Sequence, residues 1–130
     1  WAAVTNTVSV EIIILYTSAI FWTLGYDTIY GTQDIVDDEI IGIKSTSVKF
    51  KNNIKYFVSF CYCVSSALII FLFYNDFGLN SSSLLMIIYI LSLMYQIIGF
   101  KKNNPKKCLK TFKINNFSGL FLFFGIILIN

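Results

Sequence analysis

Residues 77–100 read FGLNSSSLLMIIYILSLMYQIIGF, a run of 24 positions without a charge. A helix rises ~1.5 Å per residue, so about 20 mostly apolar residues cross the ~30 Å hydrocarbon layer of a bilayer. This run is long enough to do so. On its N-terminal side, residues 56–74 are also uncharged, and residues 8–26 carry Glu11 as their only charge. On its C-terminal side, residues 114–130 are uncharged but slightly short. Backbone groups in lipid must be satisfied within the segment, and no period-2 alternation points to a barrel. The expectation is an all-α, polytopic transmembrane helical bundle with helices at about 8–26, 56–74, 77–100 and 114–130.

Composition agrees. Hydrophobic residues make up 56% of the chain and charged residues 13%, against ~25% charged in soluble domains. Mean hydropathy is +0.70. The charges are segregated. Residues 27–55 hold five of the seven acids and four lysines, and residues 101–113 hold the other six lysines, whereas the link at 75–83 holds only Asp76. Lysine-rich connections stay on the cytoplasmic side. Both charged stretches are therefore expected inside and the 75–83 link outside, an alternation that four helices satisfy. The chain opens on Trp1 within an apolar pattern, as expected of a segment of a longer chain.

Several chemistries are excluded within these residues. His is absent, which removes His-ligated zinc, a Ser-His-Asp triad and a His general base. Cys61 and Cys63 sit one residue apart inside an apolar run and Cys108 lies far off, a spacing that fits neither a zinc site nor a redox pair. They read as apolar side chains. The six-lysine stretch reads as a topogenic signal that also touches anionic lipid. No nucleic-acid partner is expected.

The acidic stretch carries the chemistry. Asp27, Asp34 and Asp38 are spaced by seven and four residues, so on one continuous helix they form a stripe about three turns long. Tyr30 lies near the stripe, while Asp37 and Glu39 point off it. Like charges on one face repel, and a compensating cation is expected. Hard carboxylate oxygens suit Mg²⁺, which often takes one or two carboxylates plus substrate phosphates. Lys44 follows as a point charge for a phosphate. The bland alternative is a solvated acidic loop in which Asp34 and Asp38 flank a helix start and Lys44 neutralises them. The D-x-D-x-D-G order of an EF-hand is absent.

The run Tyr26-Asp27-Thr28-Ile29-Tyr30, then Gln33-Asp34, Asp37-Asp38 and Ile41-Gly42-Ile43-Lys44-Ser45-Thr46, resembles the second aspartate-rich motif of the UbiA superfamily of intramembrane prenyltransferases. Its Ile-Gly-Ile-Lys-Ser-Thr ending is similar to the 4-hydroxybenzoate polyprenyltransferases. The likeness continues upstream in Trp1-Ala2-Ala3-Val4-Thr5 and Phe21-Trp22-Thr23-Leu24-Gly25. Downstream it includes Asn104-Pro105, Cys108-Leu109, Phe112, Asn115 and Gly119, so it spans essentially the whole chain. Two departures are Gly31, where Ala is commoner, and Asn116, where the family often has Arg.

The resemblance implies a nine-helix fold around a central cavity, of which residues 1–130 would be the last four helices of one domain. It implies two facing aspartate motifs that hold Mg²⁺ on a polyprenyl diphosphate. Carried over, Asp34 and Asp38 would be the catalytic pair, with Asp27 as a third metal ligand. Lys44 would contact the diphosphate, with Asp27 and Tyr30 in the same binding set. The first motif, an Asn-Asp-x-x-Asp pattern, would come from a missing N-terminal half. The implied reaction transfers a polyprenyl group to the ring of 4-hydroxybenzoate in ubiquinone biosynthesis. The expected location is the bacterial cytoplasmic membrane, with the mitochondrial inner membrane as the alternative. A homogentisate or naphthoate acceptor, a cation transporter and a non-catalytic membrane subunit are the rival readings.

Overall fold

The apolar runs fold as the hydrogen-bonding demands of a lipid environment require. The computed structural model describes residues 7–129, so the Trp1–Thr5 likeness and Asn130 lie outside the described residues. The elements are α1 (Val10–Gly31), α2 (Ile35–Ile41), α3 (Thr46–Lys49), α4 (Ile54–Leu72), a 3-10 turn (Tyr74–Asp76), α5 (Ser81–Gly99) and α6 (Pro105–Ile127), with no strand among the described residues. The all-helical expectation is met. By length and composition, α1, α4 and α5 are able to cross a membrane.

The boundaries show where local chemistry overrides hydropathy. The uncharged run at 77–100 becomes helical only at Ser81, because the Asn80 side chain caps the helix by accepting from the Ser83 N–H at 3.0 Å. The fourth segment departs further from expectation. Residues 101–113 are not a loop throughout, since α6 already starts at Pro105, with Asn104 accepting from the Lys107 N–H at 3.1 Å. An Asn cap followed by Pro at the first helical position is a strong start signal, and lysine is a good helix former. Lys106, Lys107, Lys110 and Lys113 therefore ride on the helix, all exposed. The expected span at 114–130 is its second half. From 114 to 127 that half is only about 21 Å long, and α6 is not among the helices apolar enough to qualify as a span.

Side-chain pairs show that neighbouring long helices run antiparallel. On α1 and α4, Gly25 faces Tyr62 and Ser18 bonds Ser65. On α5 and α6, Gly99 faces Thr111, Gln96 bonds Ser118 and Gly125 faces Met86. On α1 and α6, Trp22 bonds Asn115 and Tyr30 packs on Phe112. All ten lysines and five of the seven acids thus gather at one end of the bundle, and only Glu11 and Asp76 sit at the other.

A polar ladder fastens the interior. Ser18 of α1 bonds Ser65 of α4 at 3.0 Å, and Ser65 reaches the Tyr89 hydroxyl of α5 at 3.2 Å. The Tyr62 hydroxyl donates to Gln96 at 2.7 Å, and Gln96 donates to Ser118 of α6 at 3.0 Å. No buried side-chain nitrogen or oxygen among the described residues lacks a partner. Unpaired, these groups would be costly in lipid; paired, they lock helix register. Outward, Ile13, Phe60, Phe71, Leu91 and Phe124 are exposed, as suits faces turned to acyl chains or to further helices.

The charge distribution carries a topological prediction. In a background whose own cysteines are replaced, a Cys at Asn80 should react with a membrane-impermeant maleimide added outside, and a Cys at Asn103 should be protected. The reverse pattern would invert the orientation.

Candidate functional site

The acidic segment follows α1, which ends on Gly31 without a left-handed turn. At the end of α1, Thr32, Gln33 and Asp34 bond back to Ile29, Tyr30 and Gly31 in consecutive three-residue steps of 3.4, 3.1 and 3.3 Å. Side chains drive this tightening. The Thr28 hydroxyl donates to the Leu24 carbonyl at 2.6 Å, that of Thr32 to the Thr28 carbonyl at 2.8 Å, and the Gln33 amide to the Tyr30 carbonyl at 3.1 Å. Such back-bonding competes with the helical ladder and bends it. Asp34 then leaves helical geometry (φ −107°, ψ 9°) and starts α2.

The continuous stripe expected for Asp27, Asp34 and Asp38 is therefore broken into two parts. Asp27 stays on α1, exposed, while Asp34 and Asp38 lie on a new turn joined by the Asp38 N–H to the Asp34 carbonyl at 2.8 Å. A seven-residue spacing measures a helical face only where the helix is unbroken. Among the described residues no three His, Cys, Asp or Glu side chains gather into a group able to hold a metal. Asp27, Asp34 and Asp38 are thus not a preassembled ligand set.

What the structure does assemble is a turn around Asp38. Gly42 is left-handed (φ 78°, ψ 22°), the Ile43 N–H returns to the Asp38 carbonyl at 2.8 Å, and the Gly42 N–H to that of Glu39 at 3.4 Å. This is the Schellman pattern, and its positive φ favours glycine. The reversal carries Ser45 back to α2, where its hydroxyl donates to Asp38 Oδ2 at 3.1 Å. The Ser45 Oγ in turn accepts from the Val48 N–H at 3.2 Å and caps α3. Lys44, exposed, is the residue immediately before this contact.

The remaining groups fall into place around it. Asp34 occupies the cap position of α2, yet its side chain accepts no capping hydrogen bond. Helix capping therefore does not account for its carboxylate. Glu39 forms an exposed ion pair with Lys51. Asp37 is exposed. Tyr30 packs on Phe112, with ring centroids 4.9 Å apart. α3 docks on α1 through Thr28, whose hydroxyl meets that of Thr46 at 2.8 Å and whose carbonyl accepts from Ser47 at 3.0 Å. A Cβ on Gly31 would lie 2.6 Å from Ser47 Oγ, so a larger residue here would need that hydroxyl to turn aside. That contact gives Gly31 a packing role.

Sequence reading missed a second group. The Trp22 indole donates to Asn115 at 2.8 Å and packs edge-on against Tyr26 and Tyr89. Gly119 leaves room for it, because a Cβ there would lie 3.0 Å from the indole. Phe112 closes the set against Tyr26 and Tyr30. These separated residues of the likeness form one contact that ties α6 to the α1 turns leading into the acids.

Mg²⁺ can be tested against this arrangement. The donors are hard oxygens only, and two exposed or half-exposed carboxylates stand one turn apart. That fits the mode in which Mg²⁺ takes one or two carboxylates and completes its shell with phosphate oxygens and water. Asp34 and Asp38 would hold it.

Comparison with known proteins agrees with a membrane helical fold. The UbiA prenyltransferase family matches residues 1–125. The chain is 36% identical to the mitochondrial 4-hydroxybenzoate polyprenyltransferase of Bos taurus over all of its own length and 35% of that protein. It is 32% identical to the 4-hydroxybenzoate octaprenyltransferase of Saccharophagus degradans over 98% of the chain and 42% of that protein. With 4-hydroxybenzoate geranyltransferase 1 of Lithospermum erythrorhizon it shares 39% identity over 88% of the chain and 37% of that protein. The chain thus spans well under half the length of these relatives. No solved structure matches it. With apolar helices of membrane-spanning length and a match that runs almost end to end, the chain belongs to the UbiA prenyltransferase family.

Proposed function

We propose that the protein transfers a polyprenyl group from polyprenyl diphosphate to the aromatic ring of 4-hydroxybenzoate, a step of ubiquinone biosynthesis. The observation that carries this reading is the Gly42 turn. It fastens Ser45 to Asp38 and sets Lys44 next to that contact at the charged end of the bundle. A cation transporter is disfavoured, since its carboxylates would line the middle of the helices.

Each residue has a stated part. Asp34 and Asp38 hold the metal side of the diphosphate, and the Ser45 hydroxyl keeps the Asp38 carboxylate in one orientation. Lys44 adds a positive charge to the departing diphosphate, where charge develops as the bond breaks. Mg²⁺, when bound, supplies the further neutralisation of that leaving group. The allylic C–O bond breaks, and a C–C bond forms at the ring carbon ortho to the phenol hydroxyl. The ring proton is then lost. The apolar helix faces exclude water from the allylic centre and house the tail. The matched relatives occur in both mitochondria and bacteria, and either membrane suits this chemistry.

One Mg²⁺ held by the Asp34–Asp38 pair, together with one lysine, would leave a diphosphate, with its roughly three negative charges, and the two carboxylates under-neutralised. Two-metal sites clamp phosphates from both sides. Within the chain, Glu11 and Asp76 lie at the opposite end and cannot serve. Reconstituted with Mg²⁺, a prenyl diphosphate and 4-hydroxybenzoate, residues 1–130 alone should form no prenylated product. Supplying the N-terminal part of a relative, with its Asn-Asp-x-x-Asp motif, should restore the product. Turnover by the chain alone would overturn the two-motif mechanism. Prenylation of homogentisate or a naphthoate in place of 4-hydroxybenzoate would reassign the acceptor.

A further inference from the structure

Away from the acids, between the end of α5 and the first turns of α6, lies a cavity of about 200 Å³ lined by Tyr95, Gly99, Lys107, Lys110, Thr111 and Ile114. The proposed prenyl-transfer chemistry uses none of these residues. The neighbouring Phe112 turns to Tyr26 and Tyr30 of α1 instead.

Three observations converge on it. Thr111 is only 4% exposed, yet among the described residues its hydroxyl makes no hydrogen bond. Since no buried side-chain oxygen among the described residues lacks a partner, this hydroxyl is open to the cavity that Thr111 lines. Gly99 lies beside it, a Cβ there being in ordinary van der Waals contact with Thr111 Oγ1 at 3.7 Å. Lys107 and Lys110, three residues apart, share a helix face. Neither has a carboxylate, because Lys51–Glu39 is the only ion pair among the described residues. Finally, α5 ends at Gly99 and α6 begins at Pro105, which puts the cavity at the charged end of the bundle, where a membrane-crossing α5 would meet the lipid headgroups.

We propose that this cavity binds the phosphate of an anionic membrane lipid. Lys107 and Lys110 donate to its non-bridging oxygens, and the Thr111 hydroxyl supplies the hydrogen bond that it lacks within the protein. Tyr95, exposed, also lines the cavity. The acyl chains follow α5, where Leu91 and Ile98 share the exposed side of Tyr95. This apolar exit favours a lipid over a free anion. Bound there, the lipid bridges α5 and α6 at the membrane surface.

The test is titration of the protein, in phosphatidylcholine nanodiscs, with fluorescent phosphatidylglycerol. Lys107→Gln with Lys110→Gln should weaken binding by roughly 30-fold, at about one surface lysine's worth each. Thr111→Val, which keeps shape and removes the hydroxyl, should weaken it by about 5-fold. The charge-matched pair Lys106→Gln with Lys113→Gln lies outside the cavity and should change it less than about 3-fold. Equal losses from the two lysine pairs, or no loss from Thr111→Val, would reduce the site to a diffuse basic surface and overturn the proposal. A second arm replaces the lipid with inorganic phosphate. Binding of that ion as tight as the lipid's would overturn the assignment to a lipid.

Discussion

In a chain of the relatives' full length, Asp38→Asn is expected to lower kcat by about 100-fold or more, the usual effect of removing one group that stabilises charge in a transition state. The substitution is nearly isosteric. Asn keeps an oxygen able to accept from Ser45, so the 3.1 Å contact and the Gly42 turn survive while the negative charge is lost. The loss should therefore fall on kcat with the fold intact. Asp34→Asn should act similarly, since its carboxylate stands one turn away and makes no capping bond. Asp37→Asn should change kcat only a few-fold. That ranking rests on the Ser45 contact, which orients Asp38 and leaves Asp37 exposed. The measurement is single-turnover prenylation with each variant beside a circular-dichroism check of helix content. An Asp37→Asn variant as impaired as Asp38→Asn would defeat the assignment.

The largest structural effect is expected at Gly25. A Cβ there would lie 2.3 Å from Cε1 and 2.6 Å from Cδ1 of Tyr62. The ring cannot move aside cheaply, because Tyr62 is only 1% exposed and its hydroxyl is held by Gln96 at 2.7 Å. Small residues at helix crossings in membranes let backbones approach, and filling such a position costs packing on both sides. Gly25→Ala should destabilise the bundle by about 2–3 kcal/mol, the upper part of the range for overpacking. Gly78→Ala is the control, since a Cβ there meets nothing within 4 Å, and it should stay within ~0.5 kcal/mol of the parent. Thermal unfolding in detergent reads both. A Gly25→Ala protein as stable as the Gly78→Ala one would mean that Tyr62 does not pack against α1.

The site was only partly legible from the residues in order. The Asp-rich segment, Lys44 and the Ile-Gly-Ile-Lys-Ser-Thr ending are local features, and locality is what a linear reading detects. Their geometry was not local. The break between α1 and α2 falls at Gly31, which does not take a positive φ. It comes from Thr28, Thr32 and Gln33 side chains that take carbonyls from the helical ladder, and a helical pattern read at 100° per residue runs straight through it. The contact from Ser45 to Asp38 spans seven residues and depends on the left-handed Gly42. Hydropathy alone likewise did not show that α6 begins at Pro105, although the Asn104-Pro105 pair held that signal.

By itself the sequence determined the class of fold, the charged and uncharged ends, and the family, because each follows from quantities summed along the chain. Apolar length against bilayer thickness, lysine asymmetry and a contiguous motif need no knowledge of partners. Only the tertiary structure decided which of those residues meet. Trp22 and Asn115 lie 93 positions apart and bond at 2.8 Å, and Tyr62 reaches Gln96 across 34 positions. Such pairings are set by how antiparallel helices close on one another. Glycines at Gly25, Gly31 and Gly119 leave the room for that approach, and buried hydroxyl and amide groups fix its register, since lipid offers them no other partner.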